Sequence, residues 1–464
     1  MSGSTQPEKK LPSAQVICLI VALGGLVYGF DIAVISGTLS LVKAQFSLSA
    51  TSEGWFVSCA MIGCIIGAAL TSWLSDRFGR KAVLLGAAGA FLLSAIGCAF
   101  SPAFGVLIAS RFLGGIGVGM ASTTAPMYIA EFAPATSRGK MVACWQLAIT
   151  IGILLSYGSN AILMNIAHHA AAGSFLQWFF VQEAWRPMFL TMAVPSIGFL
   201  LLLLVVPESP KWLFSIGKQE QARTILAGAR GAAEADSEIE GMCTAQTPAG
   251  EKQRSLTDPA LRLPLIIGIT LALLQQLCGI NAVIYYGPKI FETAGLLSGS
   301  ALMFQVVVGV INVLFTFIAI ATADRWGRKA LMLTGLSGMV TALVVCGFLF
   351  KLGHADGFLL LGMIGLFVAS FALSVGPITL IMIAEIFPTD VRAKAVSLCL
   401  FVLWIAVSIV GQFFPWLLEV AGPSLTFWTF AGFSAFNFFF TLFVVKETKN
   451  KTLEEVEEMF TKRQ

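Results

Sequence analysis

The chain contains twelve apolar runs, each close to the ~20 residues that a helix needs to cross a bilayer. They lie at roughly 14–37, 55–75, 82–100, 105–131, 141–163 and 185–206, then 264–288, 300–322, 330–350, 358–384, 395–418 and 424–445. Hydrocarbon offers no water to backbone N–H and C=O groups, so only helices and closed barrels can span it. The runs are continuously apolar rather than alternating, which selects helices. The predicted fold is therefore an all-α membrane protein with twelve transmembrane helices. Composition agrees: 12% of residues are charged, where soluble domains carry about 25%. The first run is too long and too poorly ended for a cleaved signal and reads as the first span. Of the nine cysteines, all but Cys243 lie within apolar runs. They have neither metal nor disulfide spacing and read as small packing residues. No metal site and no nucleic-acid motif is expected.

Charge placement sets the orientation. An even number of crossings puts both ends on one side. With the termini inside, 24 of the 29 Lys and Arg residues fall in cytoplasmic segments; Lys43, Arg186, Lys289 and Lys351 fall outside and Arg111 within a span. Such an excess marks cytoplasmic loops, so both termini are expected in the cytoplasm. The outer loops are short and lack glycosylation sequons, which fits a bacterial inner membrane.

Charged boxes repeat along the chain. Asp76-Arg77-Phe78-Gly79-Arg80-Lys81 follows the second run, and Asp324-Arg325-Trp326-Gly327-Arg328-Lys329 follows the eighth, 248 residues later. Glu131-Phe132-Ala133-Pro134 with Arg138 closes the fourth run. Glu385-Ile386-Phe387-Pro388 with Arg392 closes the tenth, 254 residues later. A weaker echo links Pro207-Glu208-Ser209-Pro210-Lys211 with Lys446-Glu447-Thr448-Lys449. One box alone could be a charged turn that merely sets topology, but three in matching order indicate duplicated six-helix halves. The expected domains are an N-terminal bundle at 1–207, a cytoplasmic linker at 208–262, a C-terminal bundle at 263–446 and a cytoplasmic tail at 447–464. The pattern from Lys218 to Arg230 suggests short amphipathic helices in the linker.

One stretch of the seventh run is too polar for lipid. Gln275, Gln276, Asn281, Tyr285 and Tyr286 would normally face a bundle interior or a water-filled cavity. A regular helix scatters them around its circumference at ~100° per residue. They converge if the helix breaks, for which Gly279 and Gly287-Pro288 are the natural places. A broken helix lined with neutral hydrogen-bonding groups suits a neutral, hydroxyl-rich ligand. The bland alternative is that these amides only glue helices together.

These residues resemble the sugar porter family of the major facilitator superfamily, over essentially the whole chain. Gly29-Phe30-Asp31 with Ile35-Ser36-Gly37, Arg111 before Gly114-Gly115-Ile116-Gly117-Val118-Gly119, and Pro207-Glu208-Ser209-Pro210-Lys211-Trp212 all fit. The last segment together with Q-Q-x-x-G-x-N at Gln275 to Asn281 is specific to sugar porters. The resemblance implies two pseudo-symmetric six-helix bundles with a monosaccharide site between them. It would use Gln146, Gln275, Gln276, Asn281, Tyr285, Asn312, Gly376 and Trp404. Two departures stand out: Leu380 occupies a position that is usually Trp, and Leu403 one that is often Asn or Gln. Both remove polar or stacking groups, leaving the stretch from Gln275 to Tyr286 a larger share of recognition.

Asp31 and Arg111 are the charges placed deep within spans, where an unpaired Asp costs several kcal/mol. Proton symporters of the resembled family carry that Asp, and facilitators have a neutral residue there. The resemblance thus implies proton coupling through Asp31 paired with Arg111, with the proton gradient as driving force and no cofactor. It also implies an inner-gate network of Asp76, Arg80, Glu131, Arg138, Glu208, Asp324, Arg328, Glu385 and Arg392. At the tail, Lys446 and Asn450 replace the family's usual Pro and Gly around Glu447. Gly114 to Gly119 lack a preceding strand, so they read as helix packing and not as a dinucleotide loop.

The expected function is import of a hexose or pentose with protons by a monomer in the bilayer. A facilitative uniporter is the nearest alternative. A non-transporting sugar sensor on the same fold would add long signalling tails, and here the tail is about 18 residues. An enzyme is not expected, since the spans hold no paired carboxylates, nucleophile–base set or metal cluster.

Overall fold

The computed structural model describes residues 12–134, 137–169, 177–245, 255–355, 357–388, 391–447, 449, 455 and 459, without the side chains of 168, 169, 260, 323–325 and 393. Helices α1 (Ala14–Phe46), α2 (Ala50–Phe78), α3 (Arg80–Ala99), α4 (Phe104–Phe132) and α5 (Arg138–His169) come first. The sixth run forms α6 (Trp185–Thr191) and α7 (Ala193–Val205). Three short helices follow, α8 (Pro210–Ser215), α9 (Gln219–Arg230) and α10 (Ala232–Ala245). The second series is α11 (Arg262–Leu277), α12 (Ile280–Thr293), α13 (Ser298–Trp326), α14 (Arg328–Leu352), α15 (Gly357–Ser370), α16 (Gly376–Glu385) and α17 (Arg392–Phe443). No strand occurs among the described residues.

Among the described residues, eleven helical stretches are long and apolar enough to cross a membrane. One of them, Lys394–Phe443, has 50 residues, about 75 Å of helix, or more than twice the ~30 Å hydrocarbon core. It breaks at Gly422, whose φ of 74° and ψ of 166° are not helical, and each of its two parts is long enough for one crossing.

The two series pack alike. In the first, α1 lies on α5, α2 and α3 on α4, and α3 on α7. In the second, α11 lies on α17, α13 and α14 on α15, and α14 on α17. The series meet where α2 packs on α17, α5 on α13 and α1 on α12. Without a hydrophobic driving force in lipid, such contacts depend on close backbone approach. Gly115 illustrates it: a Cβ there would overlap the carbonyl oxygen of Ala60 on α2. This answers what the glycine-rich run at 114–119 does, namely seat α4 against its neighbours.

Proline and glycine shape the second series locally. Gly279 adopts φ 90° between α11 and α12, a conformation that L side chains rarely reach. The seventh span breaks there and not at Gly287-Pro288, because Pro288 lies inside α12. In the tenth span a π turn over Phe371–Val375 absorbs the backbone disturbance ahead of Pro377.

Gly115→Val should lower the melting temperature of the purified protein by several degrees. Gly105→Val, where an added Cβ meets nothing within 4 Å, should leave it near the parent value. Thermal unfolding of both in detergent checks this.

Candidate functional site

Asp31 on α1 and Arg111 on α4 form a buried ion pair, 0% and 1% exposed. Arg111 Nη1 donates to Asp31 Oδ1 at 2.9 Å and to the Asp31 carbonyl at 3.3 Å. Phe189 lies 5.9 Å from the guanidinium carbon. The pair uses one carboxylate oxygen: Asp31 Oδ2 and Arg111 Nε are buried without a hydrogen-bond partner. Removing one member of such a pair strands the other, at roughly 3–5 kcal/mol.

The break at Gly279 turns the polar groups of the seventh span toward one another. Asn281 Nδ2 donates to Gln276 Oε1 at 2.6 Å across the break. Gln275 Nε2 donates to the carbonyls of Val375 and Gly376 at 3.2 and 2.9 Å, so the expected Gly376 contributes its backbone. Gln275 Oε1 is buried with no partner, an acceptor whose isolation costs roughly 1–3 kcal/mol until a donor reaches it. Tyr285 reaches into the first half, its hydroxyl 3.5 Å from Met61 Sδ.

Trp404 on α17 lies 6.3 Å from Tyr28 of α1, tilted by 59°, and Tyr28 stacks on Trp145 of α5 at 6.4 Å. These three rings form an aromatic wall across the seam between the halves, beside half-buried Gln146. Tyr28 and Trp145 were missed in the sequence. The available signal was Tyr28 lying three residues before Asp31, on the same helical face. Among the described residues no hydrogen bond joins Gln146 or Asn312 to the other expected site residues; they sit on α5 and α13, which pack together. Leu403 is buried and Leu380 is 38% exposed.

The charged boxes form two matching clusters. Arg80 clasps Glu131 with two nitrogens, at 3.2 and 3.1 Å, the forked geometry that favours Arg. Its bond to Asp76 is 3.4 Å long and exposed, and counts for little. Glu208 accepts from the backbone N–H groups of Arg80 and Lys81 at 2.9 and 3.0 Å, capping the start of α3. Burial pushes the Glu208 carboxyl up from its ordinary value, and the N–H groups of Ser209, Lys81 and Arg80 oppose that rise.

In the second half Glu447 accepts from Arg328 and Lys329 N–H, both at 3.0 Å, and Arg328 pairs with Glu385 at 3.3 Å. Even the lysines correspond, Lys81 Nζ donating to Leu204 O and Lys329 Nζ to Leu442 O. The substitutions at 446 and 450 therefore leave the Glu447 cap in place. Arg392 Nε donates to Phe387 O at 3.1 Å. No ion pair joins Arg138 to Glu131 among the described residues, and the Asp324 side chain lies outside them.

The bonds of these clusters given above stay within one half. Besides the Tyr285–Met61 contact within the bundle, several polar bonds among the described residues cross between halves toward the opposite end. There Ser40 Oγ donates to Glu292 at 3.0 Å, Ser58 Oγ to Gln412 at 2.8 Å, and Gln412 Nε2 to Thr51 O at 3.1 Å. Lys289 joins Glu53, and Tyr157 Oη donates to Ile284 O at 3.0 Å. That last carbonyl belongs to the residue four before Pro288, which has no N–H to offer it. Tyr157 takes it instead, one reason α12 continues through Pro288.

A family model described as sugar (and other) transporter matches residues 17–460. The arabinose-proton symporter of Bacillus subtilis (strain 168) is 40% identical, over 96% of this chain and 95% of its own. The D-xylose-proton symporter of Escherichia coli (strain K12) is 37% identical, over 96% and 95%. Among solved structures, the inward open conformation of the E. coli xylose transporter superposes with a TM-score of 0.83 at 35% identity, covering 96% of this chain and 100% of that one.

Glu447→Ala should destabilise the protein about as much as Glu208→Ala, ~1 kcal/mol or more for a lost helix cap. Melting temperatures of the two variants check it. A Glu447→Ala protein as stable as the parent would mean that the tail cap contributes nothing.

Proposed function

Because the chain belongs to the sugar transporter family of the major facilitator superfamily, we propose that it imports a monosaccharide, hexose or pentose, together with protons by alternating access. One arrangement carries the reading: neutral amides gathered at the break at Gly279 and aromatic rings that meet across the seam between halves, linked through α1 to a buried carboxylate–guanidinium pair. Carboxamides both donate and accept, as sugar hydroxyls require, and the rings of Trp404 and Tyr28 suit a sugar's C–H face. Asp31 and Tyr28 lie one turn apart on α1, so the charge state at the pair is felt at the aromatic wall.

In this mechanism ionised Asp31 holds α1 to α4 through Arg111. Protonation from outside removes the charge that makes the bond strong, and α1 is released to rearrange with sugar bound. Loss of the proton to the higher-pH cytoplasm restores the pair and resets the carrier. With both termini in the cytoplasm, the end closed by the crossing bonds faces outward and the conformation is inward-facing. The inner clusters at Arg80–Glu131 and Arg328–Glu385 then serve as rigid corners that meet across the seam when the carrier faces outward. The relatives' names make pentoses the first sugars to try.

Asp31→Asn should abolish uphill accumulation in proteoliposomes while keeping sugar counterflow. Accumulation that survives in this variant, or uptake by the parent that ignores an uncoupler, would leave a uniporter as the better reading. Gln276→Ala should weaken sugar binding about tenfold or more, since it removes the Asn281 partner as well as a ligand contact. Calorimetric titration with arabinose, xylose, galactose and glucose reads that loss.

A further inference from the structure

We propose that Glu53 is the outer latch of the transport cycle, a carboxylate clamped between the two halves that stabilises only the state closed to the outside. The inference rests on the alternating-access reading. Glu53 stands in the first turn of α2 with its side chain 0% exposed. It accepts from Lys43 of α1 at 2.8 Å and from Lys289 of α12, so one partner belongs to its own half and the other to the opposite half. A cavity of about 450 Å³ opens beside the cluster, with Ser40, Lys43, Glu53, Lys289 and Glu292 among its lining residues. The lysine side chains are 40% and 20% exposed. Water therefore reaches the cations while the carboxylate stays beneath them.

This placement differs from that of the deeper pair. Asp31 and Arg111 both belong to the first half, so their bond cannot by itself hold the halves together. When the outer end opens, Lys289 leaves with α12, Glu53 keeps Lys43, and both separated charges regain water. The stabilisation is confined to the closed state, as a gate requires. Without the carboxylate, Lys43 and Lys289 face each other with Glu292 across the cavity and Glu419 as the remaining counter-charges and no acceptor shared between them, and their repulsion favours separation of the ends. Tyr157, whose hydroxyl holds the carbonyl orphaned by Pro288, is the uncharged member of the same latch, and Ser40 bonded to Glu292 lies alongside.

The test is a spin-label distance across the outer end, in full-length protein with Cys144 and Cys243 replaced by serine. Labels go at Gly105→Cys on α4 and Leu297→Cys before α13; an added Cβ at 105 meets nothing within 4 Å and Leu297 is 81% exposed. Glu53→Gln should raise the ratio of long to short distances about tenfold. The exchanged pair Glu53→Lys with Lys289→Glu should return it toward the parent. Tyr157→Phe, which removes one hydroxyl, should shift the ratio the same way by a smaller factor and serves if Glu53→Gln fails to fold. A parent-like distribution in both Glu53→Gln and Tyr157→Phe would overturn the latch, as would opening in Glu53→Gln that the exchanged pair does not reverse. If Glu53→Gln does not fold, an unmoved Tyr157→Phe alone overturns it. Sugar uptake by the parent separates the two readings: a parent that does not import fails the proposed function while the distances still decide the latch.

Discussion

A polar group placed in hydrocarbon must find its partner inside the bundle, and the architecture of this protein depends on how that demand is met at a few costly points. Asp31 and Arg111 meet it within one half. Glu53 and Lys289 meet it between halves. Buried pairs of this kind add little net stability compared with apolar packing, but stranding one partner is expensive. They therefore act less as glue than as conditions on which arrangements of helices are allowed. A transporter can exploit such conditions, because moving a helix or a proton changes whether they are satisfied.

Prolines raise the same demand in neutral form. Pro288 leaves the Ile284 carbonyl without its helical donor, and Pro415 does the same to Gly411. Two tyrosines answer: Tyr157 donates to Ile284 O at 3.0 Å and Tyr286 to Gly411 O at 2.7 Å. The first bond crosses the seam and the second stays within the C-terminal series. Each helix continues without losing the carbonyl to lipid, and α12 is tied on both sides while Asn281 at its start bonds Gln276.

The duplicated halves share their scaffolding but divide the specialised chemistry. Both place a positive-φ glycine, Gly79 or Gly327, before a helix whose first N–H groups are capped by a carboxylate, Glu208 or Glu447. The pair buried deep in a half is found at Asp31–Arg111 in the first, while the linked amides Gln275, Gln276 and Asn281 belong to the second. The proposed coupling has a short route, since α1 carries Asp31, contributes Tyr28 to the aromatic wall and packs on α12.

Hydropathy alone determined the helical class and the crossings, because the bilayer's thickness and lack of water leave a chain of this pattern no other course. The repeated boxes announced the duplication, and the run from Gln275 to Asn281 announced both the break at Gly279 and the family. These are short-range features: a glycine, a charge or an amide reports its own local cost. What the sequence could not give was which side chains meet across the seam. The Tyr28–Trp145–Trp404 wall, the Tyr157 bond and the clamp on Glu53 each join residues more than a hundred positions apart, or on different halves. Pro288 looked like a second break because the local rule allowed no donor for its orphaned carbonyl. Only the tertiary structure supplied one, from a helix in the other half.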